Sequence, residues 1–66
     1  MEQNQTMYRI YGKTKSQKQF RAMDINKGYQ VKKVIFATLL TETEANKAIT
    51  GLPNLNPDWE FKVEKA

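Results

Sequence analysis

The sequence predicts a small α+β domain of the order β-β-β-α-β, with a four-stranded, mostly antiparallel sheet and one helix packed on one face. Three observations predict it: two alternating apolar and polar stretches near the start, a capped amphipathic helix after residue 40, and a strictly alternating final stretch. A chain of 66 residues makes one domain, and 39% apolar residues are enough for it to fold. We expect residues 1–6 to form a disordered tail and residues 7–66 the domain.

The first predicted strand covers residues 7–11, which alternate and are rich in strand formers. Alternation turns Tyr8 and Ile10 toward the core and leaves Arg9 and Tyr11 outside. A polar loop with three lysines follows.

The second predicted strand covers residues 19–25 and ends in a turn that contains Gly28. Its two sides carry different residues: Phe20 and Ala22 on one, and Arg21, Met23 and Ile25 on the other. We expect Arg21 and Met23 to lie across from Arg9, Tyr11 and Lys13 on the same face.

The third predicted strand is the apolar run at residues 34–40, dense in β-branched and aromatic residues. Both of its sides are apolar: one carries Val34, Phe36 and Leu40, and the other Ile35, Ala37 and Leu39. That pattern is typical of a strand inside the sheet with both faces at least partly covered. Because one helix covers only one face, something else must cover the second.

The helix has the clearest local signal, a capping box formed by Thr41 and Glu44. An apolar stripe follows at helical spacing: Ala45, Ala48, Ile49 and Leu52. Gly51 and Pro53 predict the end of the helix.

The final stretch, residues 59–64, alternates strictly and predicts a strand with Trp59, Phe61 and Val63 facing inward. The helical connection predicts that this strand runs parallel to the first and third strands. Either of them could be its neighbour, and we favour the first.

Composition argues against catalysis, because the chain has no cysteine and no histidine. It therefore lacks thiolate ligands, disulfides, the usual general base and the commonest metal ligand. We expect no enzyme, no catalytic residue, no cofactor and no metal site. The start has no apolar segment of a signal peptide, and no later run reaches transmembrane length, so a cytoplasmic protein is expected.

The charge is uneven, with eight of the eleven basic residues between Arg9 and Lys33, where the only acidic residue is Asp24. Cations around an aromatic ring suit a nucleic acid, which offers phosphates and bases. The candidate nucleic-acid-binding residues are Arg9, Tyr11, Lys13, Lys15, Lys18 and Arg21. The alternative is that these lysines keep the domain soluble and protect its sheet edges.

The second apolar side of the 34–40 run suggests association, because a monomer seldom leaves such a surface bare. A homodimer or a protein partner could cover it, around Met23, Ile35 and Leu39. Alternatively, the N-terminal tail or the connector at 53–58 folds over it.

Four motifs carry a family resemblance: YRIYG at residues 8–12, FRAMD at 20–24, VIFATLLTETE at 34–44 and NPDWEF at 56–61. Together they resemble small uncharacterised proteins encoded on conjugative transposons of Gram-positive bacteria, over about residues 7–64. The resemblance implies a mobile-element setting, where DNA-handling partners are common, and carries over no functional residue. Three strands before a Thr-x-x-Glu helix also resemble the arm-site DNA-binding domains of tyrosine recombinases, although the final strand departs from that pattern.

Overall fold

The computed structural model describes residues 6–66, so most of the predicted tail lies outside the described residues. The predicted α+β class and element order are confirmed. The elements are β1 (Tyr8–Thr14), β2 (Arg21–Asp24), β3 (Tyr29–Gln30), α1 (Glu42–Leu55) and β4 (Trp59–Lys65), with a 3₁₀ turn at Val34–Phe36. The strands form one sheet in the order β3-β2-β1-β4, and every neighbouring pair is antiparallel.

The predicted third strand at residues 34–40 is wrong, because the third strand is the short β3. A tight turn directly after β2 lets β3 begin at Tyr29. In this turn the Gly28 N–H donates to the Asp24 carbonyl at 2.7 Å, and Gly28 adopts φ 79°. The apolar run then forms the 3₁₀ turn, and Ile35 and Phe36 stay 70% and 62% exposed. Local composition identifies this run as apolar. It does not show that the chain uses the run to cross from β3 back to the start of β1.

The crossing ends at Leu40, which pairs with Tyr8 through two backbone hydrogen bonds of 2.8 and 2.9 Å. On the way, the Thr38 hydroxyl accepts from the Ile25 N–H at 2.9 Å, and the Thr38 N–H donates to the Met23 carbonyl. Residues 38–40 therefore lie beside the start of β1. They occupy the same edge of β1 that β2 pairs with at Tyr11 and Gly12.

This placement corrects the predicted direction of β4. Its neighbour is β1, as favoured, but the two strands are antiparallel and pair from Tyr8 with Lys65 to Thr14 with Trp59. The chain at Leu40 already runs antiparallel to β1. The helix returns it to run in that same direction on the other edge of β1, so β4 is antiparallel as well.

The helix begins as predicted. The Glu44 N–H donates to the Thr41 hydroxyl at 3.2 Å, and the Thr41 N–H donates to the Glu44 carboxylate at 2.9 Å. It ends later than predicted, at Leu55, where the Asn56 N–H bonds the Leu52 carbonyl at 2.9 Å.

The core lies between α1 and one face of the sheet. Ile10, Leu40 and Ala45 are buried at its centre. Partly buried residues surround them: Tyr8, Ile25, Ala48, Ile49, Leu52, Phe61 and Val63. The inward positions predicted for Tyr8, Ile10, Phe61 and Val63 are thereby confirmed, and Trp59 is half-buried and stacks on Phe61 at 6.0 Å between ring centroids.

Two side chains pack directly on Gly12, which allows a test of the packing between the helix and the sheet. A Cβ at this position would lie 2.5 Å from the Met23 sulfur and 3.0 Å from the Phe61 ring. We expect Gly12→Ala to lower the free energy of unfolding by about 1–3 kcal/mol through overpacking. Gly51→Ala is the matched control, because its Cβ meets nothing within 4 Å and alanine favours a helix by up to about 1 kcal/mol. Urea unfolding measures both, and equal midpoints for the two variants would contradict this packing.

Candidate nucleic-acid interface

The strand register divides the predicted basic residues between two faces of the sheet. Gly12 lies opposite Arg21, and a Cβ on Gly12 would meet Met23, so Arg21 and Met23 point to the helix side. Arg9, Tyr11 and Lys13 alternate with Gly12 and lie on the other side, which we call the open face. The expectation that Arg21 and Met23 lie across from these three residues is therefore wrong, because the register is shifted by one residue.

On the open face, β4 supplies acids that offset the cations of β1. The Lys13 ammonium lies 3.2 Å from the Glu60 carboxylate, and the Lys62 ammonium lies 2.6 Å from that of Glu64. Arg9 is partly buried, and its Nε has no hydrogen-bond partner among the described residues. The open face is thus nearly balanced in charge and not strongly basic.

The aromatic rings of the open face are covered by these same lysines. The Lys62 ammonium lies 4.8 Å from the ring centroid of Phe20 and 5.8 Å from that of Tyr11. The Lys13 ammonium lies 5.6 Å from the Phe20 ring. Such cation–π contacts occupy the faces on which a base would stack. Tyr11 is therefore poorly placed for the stacking that its position in the sequence suggested.

The structure instead gathers cations at one end of the sheet, where β1 and β3 finish and β2 and β4 begin. We call this group the basic end; it comprises Lys13, Lys15, Lys18, Arg21, Lys32 and Lys33. Lys13 is paired with Glu60, but the other five side chains are exposed and have no ion pair among residues 6–66. The acids at this end are Asp58 and Glu60, so the local charge is strongly positive.

A glutamine pair holds the two parts of the basic end together. The Gln30 amide of β3 donates to the Gly12 carbonyl at 2.8 Å and to the Gln17 side-chain oxygen at 3.0 Å. The Gln17 oxygen also accepts from the Thr14 N–H at 2.9 Å. The loop with Lys15 and Lys18 is therefore fixed against β3, directly before Lys32 and Lys33.

The opposite end of the domain carries several acids. There α1 begins with Glu42 and Glu44 in its first turn, close to the Tyr8–Leu40 bridge, and β4 brings in Glu64. The acids of the first turn also match the positive end of the helix dipole. Arg9, Lys27 and Lys65 lie at this end as well and offset its acids. The net positive charge of the domain is therefore concentrated at the basic end, which favours the approach of that end to an anionic partner.

The residues predicted for association do not form one exposed surface. Met23 is only 2% exposed and unavailable to a partner, whereas Leu39 is 48% exposed. Leu39 belongs to an exposed apolar group around the 3₁₀ turn, the apolar turn: Val34, Ile35, Phe36 and Leu39. A groove of about 510 Å³ lies beside it, with Tyr29, Val31, Lys32 and Phe36 among its lining residues.

Comparisons with known proteins identify no relative. No family model, no curated protein and no solved structure matches the chain. Within residues 6–66, no cluster of three or more acidic side chains is placed to hold a metal ion. No helix in that part of the chain is long and apolar enough to cross a membrane.

Sequence reasoning missed Lys32 and Lys33 as members of the basic end. The signal was present, since both belong to the basic segment that begins at Arg9. The predicted binding residues do not include them, because they precede the apolar run predicted as the third strand. Because the third strand lies at residues 29–30, Lys32 and Lys33 follow its end. They lie at the same end of the sheet as Arg21, where β2 begins.

The glutamine pair predicts how firmly the lysine loop is held. Gln30→Leu removes the donor to the Gly12 carbonyl, and we expect a loss of about 1 kcal/mol in the free energy of unfolding. The Gln17 N–H, which bonds the Thr14 carbonyl at 3.1 Å, should then exchange with solvent faster. Gln19→Leu is the control, because Gln19 is exposed. Unchanged exchange at Gln17 in Gln30→Leu would contradict the role of the pair.

Proposed function

We propose that the chain is a small non-enzymatic protein that binds nucleic acid through its basic end, as an accessory protein of a mobile genetic element. One observation carries the proposal: five exposed cations at one end of the sheet have no ion pair among residues 6–66. They are Lys15, Lys18, Arg21, Lys32 and Lys33. The mobile-element setting rests on the four sequence motifs and remains part of the proposal.

The spacing of these cations favours a nucleic acid over an acidic protein. Neighbouring strands lie about 4.8 Å apart, so β1 to β3 with their loops span on the order of 10 Å. A duplex carries one charge per roughly 1.7 Å of axis, hence about six charges over that span. A duplex therefore offers about one phosphate for each of the five cations across this span.

The mode of binding that the geometry supports is contact with phosphates. The cations extend from loops and strand ends, where flexible side chains can follow a backbone. Tyr11 and Phe20 already lie beneath lysine ammonium groups, so stacking of bases contributes little. Binding should therefore depend on salt and only weakly on sequence.

A titration against duplex DNA at two salt concentrations tests the proposal. Three phosphate contacts give a log–log salt slope of about −2.7, which is a roughly fortyfold loss of affinity from 50 to 200 mM salt. The triple variant Lys15→Gln, Lys18→Gln, Lys33→Gln should lose most of the affinity and most of the slope.

The matched control is Lys27→Gln, Lys47→Gln, Lys65→Gln, which lowers the net charge equally but spares the basic end. This variant should keep most of the wild-type affinity. Equal losses in both variants would mean that net charge alone attracts DNA. No binding at about 100 μM and 50 mM salt would overturn the proposal, since even non-specific binders usually register there.

A second candidate function is binding of an acidic protein through the apolar turn. Ile35 is 70% exposed in this turn, and Lys32 and Lys33 directly precede it. A two-fold contact between copies would bring these lysines together, because both copies would use the same surface. The charges therefore favour a different, acidic partner over a second copy at this surface.

The double variant Ile35→Lys, Phe36→Lys tests this second function. We expect it to fold with an unchanged urea midpoint, since neither side chain is buried. In an affinity pull-down with each protein as bait, an acidic partner that binds the wild type but not the variant would support the function. Recovery of the same proteins by both would contradict it.

A further inference from the structure

The outermost strand β4 has an edge that no described residue covers. The Ala66 N–H donates to the Met7 carbonyl at 2.8 Å, so even-numbered residues of β4 point their backbone groups at β1. The N–H and C=O groups of Phe61, Val63 and Lys65 consequently point outward. Among residues 6–66 they have no backbone partner.

This edge is well suited to pairing with another strand. It has seven residues, whereas the opposite edge strand β3 has only two. A long edge with unpaired backbone groups is a template for strand addition. Phe61 and Val63 are half-buried on the helix side, so an added strand would bury them further.

We propose that the partner at this edge is a second copy of the chain, paired antiparallel through β4 about a two-fold axis at Val63. The outward backbone groups of Phe61, Val63 and Lys65 then meet those of Lys65, Val63 and Phe61 of the second copy. Every N–H and C=O in this set finds a partner.

The side-chain charges of β4 match this register. On the open face, Lys62 lies opposite Glu64 of the second copy, and the two-fold axis repeats the pair. Opposite charges directly across two strands stabilise the pairing, and like charges oppose it.

Neighbouring registers fit less well. An axis at Lys62 or at Glu64 places identical charges directly across from each other. An axis at Phe61 also pairs opposite charges, but it requires the Trp59 N–H, which already donates to the Asn56 carbonyl at 3.0 Å. The axis at Val63 therefore satisfies both the backbone groups and the charges.

The positions of the two basic ends agree with the same arrangement. Antiparallel pairing places the end of each copy that carries Glu42 and Glu44 on the same side as the basic end of the other. The two basic ends then lie far apart, which avoids their mutual repulsion. Both remain free, so the dimer is independent of whether the basic end binds a nucleic acid.

Sedimentation of the full chain tests the dimer. The wild type should dimerise, and Lys62→Glu should weaken the dimer by about tenfold or more, because two opposite-charge pairs become like-charge pairs. The swap Lys62→Glu, Glu64→Lys restores opposite charges and should restore the dimer. Glu60→Lys is the control, because in this register Glu60 lies across from residue 66.

Each outcome is decisive. A wild type that stays monomeric up to about 1 mM overturns the proposal. So does a folded Lys62→Glu variant that remains dimeric, or a folded charge swap that remains monomeric. If Lys62→Glu fails to fold, which circular dichroism reports, the charge swap alone decides. Loss of the dimer in Glu60→Lys would indicate an axis at Phe61, where Glu60 lies across from Lys62 of the second copy. That result would reject the register proposed here.

Discussion

The backbone pair between Tyr8 and Leu40 controls the arrangement of the second half of this protein. Its two hydrogen bonds, of 2.8 and 2.9 Å, occupy the edge of β1 at its first residue. They place the start of α1 at that end of the sheet and leave only the other edge of β1 to β4. Leu40 is itself buried with Ile10 and Ala45, so the same residue fixes the backbone path and the centre of the core.

The distribution of charge follows from this topology. Because all strand pairs are antiparallel, the end of β1, the start of β2 and the end of β3 meet at one end of the sheet. Their flanking segments carry Lys15, Lys18, Arg21, Lys32 and Lys33, and the glutamine pair holds those segments together. The acidic start of α1 lies at the other end. A linear cluster of basic residues thus becomes a compact basic end.

Three surfaces remain available to partners, and each offers different chemistry. The basic end has exposed cations without ion pairs among the described residues and suits a phosphate backbone. The apolar turn combines Ile35 and Phe36 with the preceding lysines and suits an acidic protein. The β4 edge offers backbone groups with self-complementary charges and suits a second copy. The basic end and the apolar turn share Lys32 and Lys33, so a partner at one competes for these lysines with a partner at the other, whereas the β4 edge uses neither lysine.

Local sequence determined the elements whose signals are short in range. The capping box of Thr41 and Glu44, the apolar stripe of α1 and the alternation of β1 and β4 follow from neighbouring residues, and the structure contains each of them. The uneven distribution of charge along the chain was equally visible. The α+β class and the element order follow from these signals, because few arrangements bury one helix stripe against alternating strands.

Tertiary structure decided the features that depend on pairing between distant residues. The apolar run at 34–40 has the composition of a strand, yet the Gly28 turn supplies β3 earlier and leaves the run to cross back to β1. The register that opposes Gly12 to Arg21 put Arg9 and Arg21 on different faces. A shift of one residue exchanges the faces of a strand, and no local pattern fixes that shift where both sides carry apolar residues. The basic end, the buried Met23 and the antiparallel β4 all follow from contacts that only the folded chain makes.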